Sequence, residues 1–231
     1  MHAHSCEQAV RPRHTGDSRV VKPLTKQTNY QDAFNAAVDF VRNRETRSLT
    51  ALGASPIGSN TCSLPVLNGV FLVDLSAATV ALVKNPGPPL EISPLRIEWQ
   101  ILALHYLSAP LARPEPSRWI SFADIADGRG YDPVYRARVI SRLCATAGRD
   151  RASFVSASSA LSGEPVNFGD QAFQFTVFPK LPVIIAWYQG DDEIGPGASF
   201  IYPDNITSFL PVEDIVVLSE RLVARIQSGK W

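Results

Sequence analysis

Apolar residues recur first at helical spacing and then at strand spacing in the N-terminal third of the chain. In NYQDAFNAAVDFVRNRE, apolar positions return every three or four residues and polar ones fill the other side, which predicts an amphipathic helix. Residues 53–63 are small and polar and predict a loop. Two segments of strand character follow near 66–74 and 78–84. They are close enough along the chain to pair as a hairpin.

Three helices are predicted in the middle of the chain. They cover about Pro94–Ser108, Asp132–Gly148 and 150–162. In the first, Ser93 is the expected N-cap and Pro94 takes the first helical position. Residues 119–122 predict a short strand between the first two helices.

The C-terminal third alternates strands and turns before a last amphipathic helix. Strands are predicted near 171–178, 183–188 and 198–202, and the helix near 212–227. Because predicted strands lie in neighbouring pairs and do not alternate with helices, the sequence predicts an α+β fold with a mainly antiparallel sheet covered by helices. We expect a single domain over 29–231, preceded by a flexible polar tail at 1–28.

Composition then restricts the class of partner. The 231 residues are 45% hydrophobic, and 22 Lys and Arg balance 22 Asp and Glu. A dedicated nucleic-acid binder normally carries excess positive charge, so no nucleic-acid partner is predicted. No apolar run approaches the ~20 residues that span a bilayer, so no membrane partner is predicted either. A small-molecule ligand is the partner that remains open, and the oligomeric state is not determined.

The cysteines predict the compartment and restrict the cofactors. Cys6, Cys62 and Cys144 are far apart and form no CxxC pair, so the spacing of zinc and iron–sulfur ligands is missing. No metal site is predicted, and any cofactor is unknown. So few cysteines do not build a disulfide scaffold, and the first residues show no apolar signal segment. We therefore expect a cytoplasmic protein.

Two features could carry chemistry. Residues 191–193, Asp-Asp-Glu, lie in a Gly-flanked turn that is either a solvated hairpin turn or a Mg²⁺ or Ca²⁺ ligand set. His105 follows Glu98 by seven residues on one helical stripe, ~10 Å along the axis. The pair suits two walls of one pocket, although a hydrogen-bonded boundary histidine is the alternative. The motif of a nucleotide-binding, zinc-protease or serine-hydrolase site is missing, so catalytic residues are unknown.

A ligand site is predicted where residues from separate segments converge. Its members supply apolar walls and a few polar groups, as small-molecule pockets do. They are His105, Trp119, Tyr131, Asp170, Trp187 and Asp192. For the hypothesis to hold, the side chains of His105 and Asp170 must open into the same concave space.

Several short motifs occur in an order that resembles a known family. They are His105–Leu107, Trp119–Phe122, Gly130–Tyr131, Gly169–Asp170, Phe178–Pro182, Trp187, Asp191–Glu193, Tyr202–Asp204 and Leu210–Asp214. This order resembles the bacterial and archaeal family called domain of unknown function 3786, over about 29–227. Some members carry an N-terminal iron–sulfur segment, whose cysteine cluster is missing here. The resemblance implies no particular activity.

Three functions are compatible with these patterns. The first is a cytoplasmic domain that binds a small molecule or cofactor. The second is a metal-assisted hydrolase or transferase that uses the acidic cluster and a histidine, and the third is a structural or partner-binding domain. Whether the protein is an enzyme is left open by the sequence.

Overall fold

The structure, a computed structural model, describes residues 26–231. In this part of the chain the strands form two antiparallel sheets, and helices pack against both. The predicted α+β class is confirmed, but the strands divide between two sheets and do not join one. The strands before the central helix at Ile97–Ser108 form one sheet, and the strands after it form the other.

The first sheet follows the chain order. Its strands are β1 (Ser55–Pro56), β2 (Thr61–Val66), β3 (Gly69–Asp74), β4 (Thr79–Asn85) and β5 (Glu91–Pro94). The segment predicted as one strand near 66–74 is interrupted by a two-residue turn, Leu67 and Asn68, with Leu67 at a φ of 50°. Strands β3 and β4 form the predicted hairpin. The loop predicted over 53–63 is wrong at both ends, since β1 lies within it and β2, which also pairs with β3, begins at Thr61. Strand β4 confirms the strand predicted near 78–84.

Helices cover the inner side of the first sheet. They are α1 (Lys26–Arg42), α2 (Thr46–Ala51) and α3 (Ile97–Ser108). The apolar residues of α1 at helical spacing, Phe34, Ala37, Val38 and Val41, are buried as predicted. The predicted helix start at Pro94 is wrong, since Pro94 ends β5 opposite Ala81. An edge strand accepts proline because the missing N–H has no ladder partner there.

The second sheet has the order β6, β10, β9, β8, β7. Its strands are β6 (Trp119–Ser121), β7 (Glu164–Val166), β8 (Gln171–Phe178), β9 (Leu181–Tyr188) and β10 (Gly197–Pro203). The three long strands confirm the predictions near 171–178, 183–188 and 198–202. Phe173, Phe175 and Val177 alternate into the core, as their spacing indicates.

Helices of the C-terminal half follow the predicted segments. They are α4 (Asp132–Tyr135), a π-helical segment (Arg136–Ile140), α5 (Ser141–Ala145), α6 (Arg151–Ala160) and α7 (Val212–Ser228). The helix predicted over 132–148 is thus one helical run with a π segment inside it. Helix α7 ends at Gly229, which adopts the left-handed conformation at a φ of 65°.

Both sheets contribute to one hydrophobic core. The amide of Leu67 in the first sheet donates to the carbonyl of Val177 in the second, at 3.1 Å. Trp231 packs against Phe71 and Trp99, with ring centroids 5.0 and 5.3 Å away. Trp231 therefore packs against both β3 and α3.

The predicted tail at 1–28 lies mostly outside the described residues. Helix α1 already includes residues 26–28, and the rest of the predicted tail, 1–25, is not described. Over residues 26–231, no helix combines the length and the apolar character that crossing a membrane requires.

Candidate functional site

Three of the six predicted site residues lie at one end of the second sheet. The Asp170 amide donates to the Trp187 carbonyl at 3.2 Å, and the Asp170 carboxylate accepts from the Gln189 amide at 2.8 Å. The Trp187 ring is buried, and its Nε1 donates to the Gly148 carbonyl at 2.8 Å. Asp192 lies in the next turn and is exposed. The Asp170 backbone and carboxylate thus tie the start of β8 to the end of β9, while the Trp187 ring is bonded to Gly148.

The acidic turn is held together by its own first carboxylate. Asp191 Oδ1 accepts from the amides of Glu193 at 2.9 Å and Ile194 at 2.8 Å. The hydrogen bond from Ile194, and after it the one from Glu193, lowers the pKa of the Asp191 carboxyl. Among residues 26–231, no three His, Cys, Asp or Glu side chains are grouped as a metal site would require. The hydrogen bonds of Asp191 to the amides of Glu193 and Ile194 thus stabilise the turn itself.

His105 contacts helix α7 and not the acidic turn. Its Nδ1 pairs with Asp214 Oδ2 in the first turn of α7. A Glu98 carboxylate oxygen lies 3.6 Å from a terminal guanidinium nitrogen of Arg221, which is also on α7. The seven-residue spacing of Glu98 and His105 thus matches the seven-residue spacing of Arg221 and Asp214. The stripe on α3 that the sequence reveals is a contact between two antiparallel helices.

The structure places the predicted residues at separate surfaces. His105 borders a shallow groove next to Phe209. Trp187 lines a second pocket with Arg149 and Arg151. Trp119 begins the edge strand β6, opposite Pro203, and is 38% exposed. Tyr131 lines a third and more enclosed pocket.

This third pocket has the composition expected of a ligand site. We call it the tyrosine pocket; its volume is about 350 Å³. It is lined by Tyr30, Asp127, Tyr131, Arg138, Val212, Glu213, Val216 and Val217. Tyr30 and Tyr131 are each 37% exposed, and both line this one cavity. Apolar walls with a few polar groups are typical of small-molecule sites.

A tight turn places Asp127 and Tyr131 in the pocket. Asp127 adopts a left-handed φ of 65°, a conformation that Asp tolerates better than most residues. The following residue must be glycine, because a Cβ at Gly128 would lie 2.3 Å from the Phe122 carbonyl oxygen. The Tyr131 amide donates to the Gly128 carbonyl at 3.0 Å. Backbone contacts thus fix the direction of the whole turn.

Arg138 is held in the pocket wall by two partners. Its Nε and one terminal nitrogen donate to the two carboxylate oxygens of Glu220, at 2.6 and 3.0 Å. Its other terminal nitrogen donates to the Tyr131 hydroxyl at 2.8 Å. The bond to Glu220 raises the pKa of Arg138, so this arginine stays charged and its charge is matched. Because the Tyr131 oxygen accepts from Arg138, its own proton is free to donate to a ligand.

The N-terminal half of α7 forms the floor of the pocket. Val212, Val216 and Val217 present their methyl groups to it, while Ile215 and Leu218 turn into the core. Glu213 is exposed in the first turn of α7, where the helix dipole favours a carboxylate. Sequence analysis missed these floor residues. The available signal was a second apolar stripe on α7, beside the stripe that packs into the core.

The family comparison covers nearly all of this architecture. The sequence matches the family described as "Domain of unknown function (DUF3786)" over residues 47–225. The chain belongs to this family. The resemblance stated from the motif order is therefore confirmed. No curated protein and no solved structure matches the chain.

The DUF3786 match includes most of the tyrosine pocket. The turn at Asp127–Tyr131, Arg138 and the floor of α7 lie within it, whereas Tyr30 lies before it. Membership supplies no activity, since the family is defined without one. The function has to be argued from the site itself.

Proposed function

We propose that this DUF3786 protein binds a small organic molecule or cofactor in the tyrosine pocket. The observation that carries the proposal is the convergence of two partly exposed tyrosine rings, a valine floor and a fixed arginine on one half-enclosed cavity. Its volume of about 350 Å³ lies within the range of small-molecule sites, roughly 300–1,000 Å³. Of the six residues predicted from sequence, Tyr131 is the one that lines this pocket.

Two side chains that line the pocket are held by hydrogen bonds within the chain. Arg138 is fixed by Glu220 and Tyr131, and Tyr131 is also fixed through the Gly128 carbonyl. A ligand therefore meets side chains that are already ordered, which lowers the entropy cost of binding. Hydrogen-bonded side chains around an open cavity support a binding role over a purely structural one.

A cytoplasmic location and a single ligand-binding unit over 29–231 belong to the same proposal. Cys62 and Cys144 are free thiols, which fits a reducing compartment. Burial raises the pKa of the Cys62 thiol to about 11, so this cysteine stays protonated and unreactive near neutral pH.

A second candidate function is acid–base catalysis by His105. The observation that favours it is the pairing of Nδ1 with Asp214, which fixes the ring and leaves Nε2 without a hydrogen-bond partner among residues 26–231. A carboxylate that orients a histidine in this way is common in acid–base sites. The groove beside the ring is shallow and mostly apolar, lined by Ala109, Pro110, Phe209 and Leu210 among others. The binding role in the tyrosine pocket is therefore the better supported of the two.

A pocket-filling substitution tests the binding proposal. Val217→Trp places an indole in the tyrosine pocket, and Val70→Trp on exposed β3 is the matched control, since Val70 is 37% exposed. We expect methyl and aromatic NMR signals of the pocket to shift when phenyl-containing fragments are added to the wild-type chain. Val217→Trp abolishes these shifts and Val70→Trp keeps them. If fragments shift the pocket signals equally in both variants, or in none of the three proteins, the proposal is overturned.

A further inference from the structure

We infer that the ligand of the tyrosine pocket is an organic cation, an ammonium group attached to an apolar body. This inference rests on the proposed function and names the chemical class of the ligand. It follows from the balance of charge in the pocket wall, from the two tyrosine rings and from the valine floor.

The charge balance of the wall is negative. Asp127 and Glu213 line the pocket, and neither forms an ion pair with a side chain that the structure describes. Arg138 is the cation in this wall, but its charge is matched by both oxygens of Glu220, at 2.6 and 3.0 Å. Two unmatched carboxylates therefore face the cavity. An anionic ligand would be repelled there, whereas a cation would gain from both carboxylates.

The aromatic walls favour the same class of ligand. The faces of tyrosine rings attract a cation within about 6 Å of the ring centre. Tyr30 comes from α1 and Tyr131 from the turn after Gly128, so the rings reach the cavity from two different elements. Two partly exposed rings and two carboxylates around one cavity form the usual surroundings of a bound ammonium group.

The valine floor determines the rest of the ligand. Val212, Val216 and Val217 offer no hydrogen-bonding side-chain atom, so the part of the ligand that lies on them gains by burying apolar surface. A small hydrated cation such as Na⁺ would leave this floor unused. An alkyl or aryl ammonium uses the carboxylates, the rings and the floor together.

Three probes with one phenyl body separate charge from shape. They are 2-phenylethylammonium, 2-phenylethanol and 3-phenylpropionate, titrated into the full chain at low salt and followed by the NMR signals of the pocket valines. We expect the ammonium to bind roughly tenfold more tightly than the alcohol, and the propionate to bind most weakly. Added salt lowers the affinity for the ammonium and leaves the affinity for the alcohol nearly unchanged.

Substitutions assign the preference to the two carboxylates. Asp127→Asn keeps a residue that tolerates the left-handed turn, and Glu213→Gln keeps the helix. Each lowers the affinity for the ammonium about threefold to tenfold, and the double variant binds ammonium and alcohol alike. Glu91→Gln, an exposed carboxylate on β5 of the first sheet, leaves the preference intact and is the control.

The outcomes distinguish the class of ligand from the existence of the site. If the alcohol or the propionate binds as tightly as the ammonium, the cation inference is overturned and the tyrosine pocket stays a binding site. If the ammonium binds best but Asp127→Asn and Glu213→Gln leave its affinity unchanged, the inference is overturned as well. If none of the three probes shifts the valine signals, the proposed function fails together with the inference.

Discussion

Two neighbouring carboxylates of α7, Glu213 and Asp214, lie in contrasting surroundings. Asp214 points toward α3 and pairs with His105, and its side chain is 13% exposed. Glu213 is exposed, lines the tyrosine pocket and has no ion-pair partner among the side chains described. A helix turns about 100° per residue, so one step along α7 exchanges a contact with a helix for a contact with a cavity.

The contrast shows that the surroundings of a carboxylate decide whether it stabilises the fold or is available to a ligand. A carboxylate that already has a partner from its own chain stabilises the fold, as Asp214 does. A carboxylate that faces a cavity without a partner is available to a ligand, as Glu213 is. The residue type and its place in the helix are nearly identical in the two cases, and only the surroundings separate them.

The largest expected effect is on stability, at Asp214. Asp214→Asn removes a charged acceptor from the partly buried His105, and we expect the free energy of unfolding to fall by about 1–3 kcal/mol. The matched change Glu213→Gln should stay within about 0.5 kcal/mol of wild type. Urea denaturation of both variants measures the difference. Equal losses would show that the two carboxylates do not differ as their surroundings indicate.

A smaller effect is expected on selectivity, at Glu220. Glu220→Gln removes the charge that matches Arg138 and so leaves a positive charge in the wall of the tyrosine pocket. We expect the preference for 2-phenylethylammonium over 2-phenylethanol to fall about threefold to tenfold, with a loss of about 1 kcal/mol in stability. NMR titration and urea denaturation of one sample measure both. An unchanged preference would show that Arg138 does not contribute to the field in the pocket.

The smallest effect is expected in the acidic turn, at low pH. The amides of Ile194 and Glu193 lower the pKa of Asp191 in the folded state. This carboxylate therefore stabilises the fold above its ordinary pKa, about 4, and the contribution is lost as the pH falls through the lowered folded pKa. Asp191→Asn should flatten the dependence of the urea midpoint on pH below about 4. Asp192→Asn, the same change at the exposed neighbour, is the control. An identical pH dependence in wild type, Asp191→Asn and Asp192→Asn would contradict the expectation.

Local periodicity was enough to predict most elements of the fold. The strands near 171–178 and 183–188 and the helix near 212–227 follow from alternation and helical spacing, which are properties of short segments. Among the local predictions that failed, two failed where a distant contact decides. Ser93 followed by Pro94 is typical of a helix start, but Pro94 pairs with Ala81 at the end of β5. The turn at Leu67 interrupts the segment that alternation predicts as one strand.

The sequence by itself determined the family, the α+β class and the inward face of each long element, because these depend on residue order and short-range period. Only the tertiary structure decided which carboxylates have partners. It paired His105 with Asp214, used Asp191 within its own turn, and left Asp127 and Glu213 facing a cavity with two tyrosines. The physical reason is that an electrostatic partner is chosen by distance in space, and no period along the chain records which of two adjacent side chains on a helix will meet another helix.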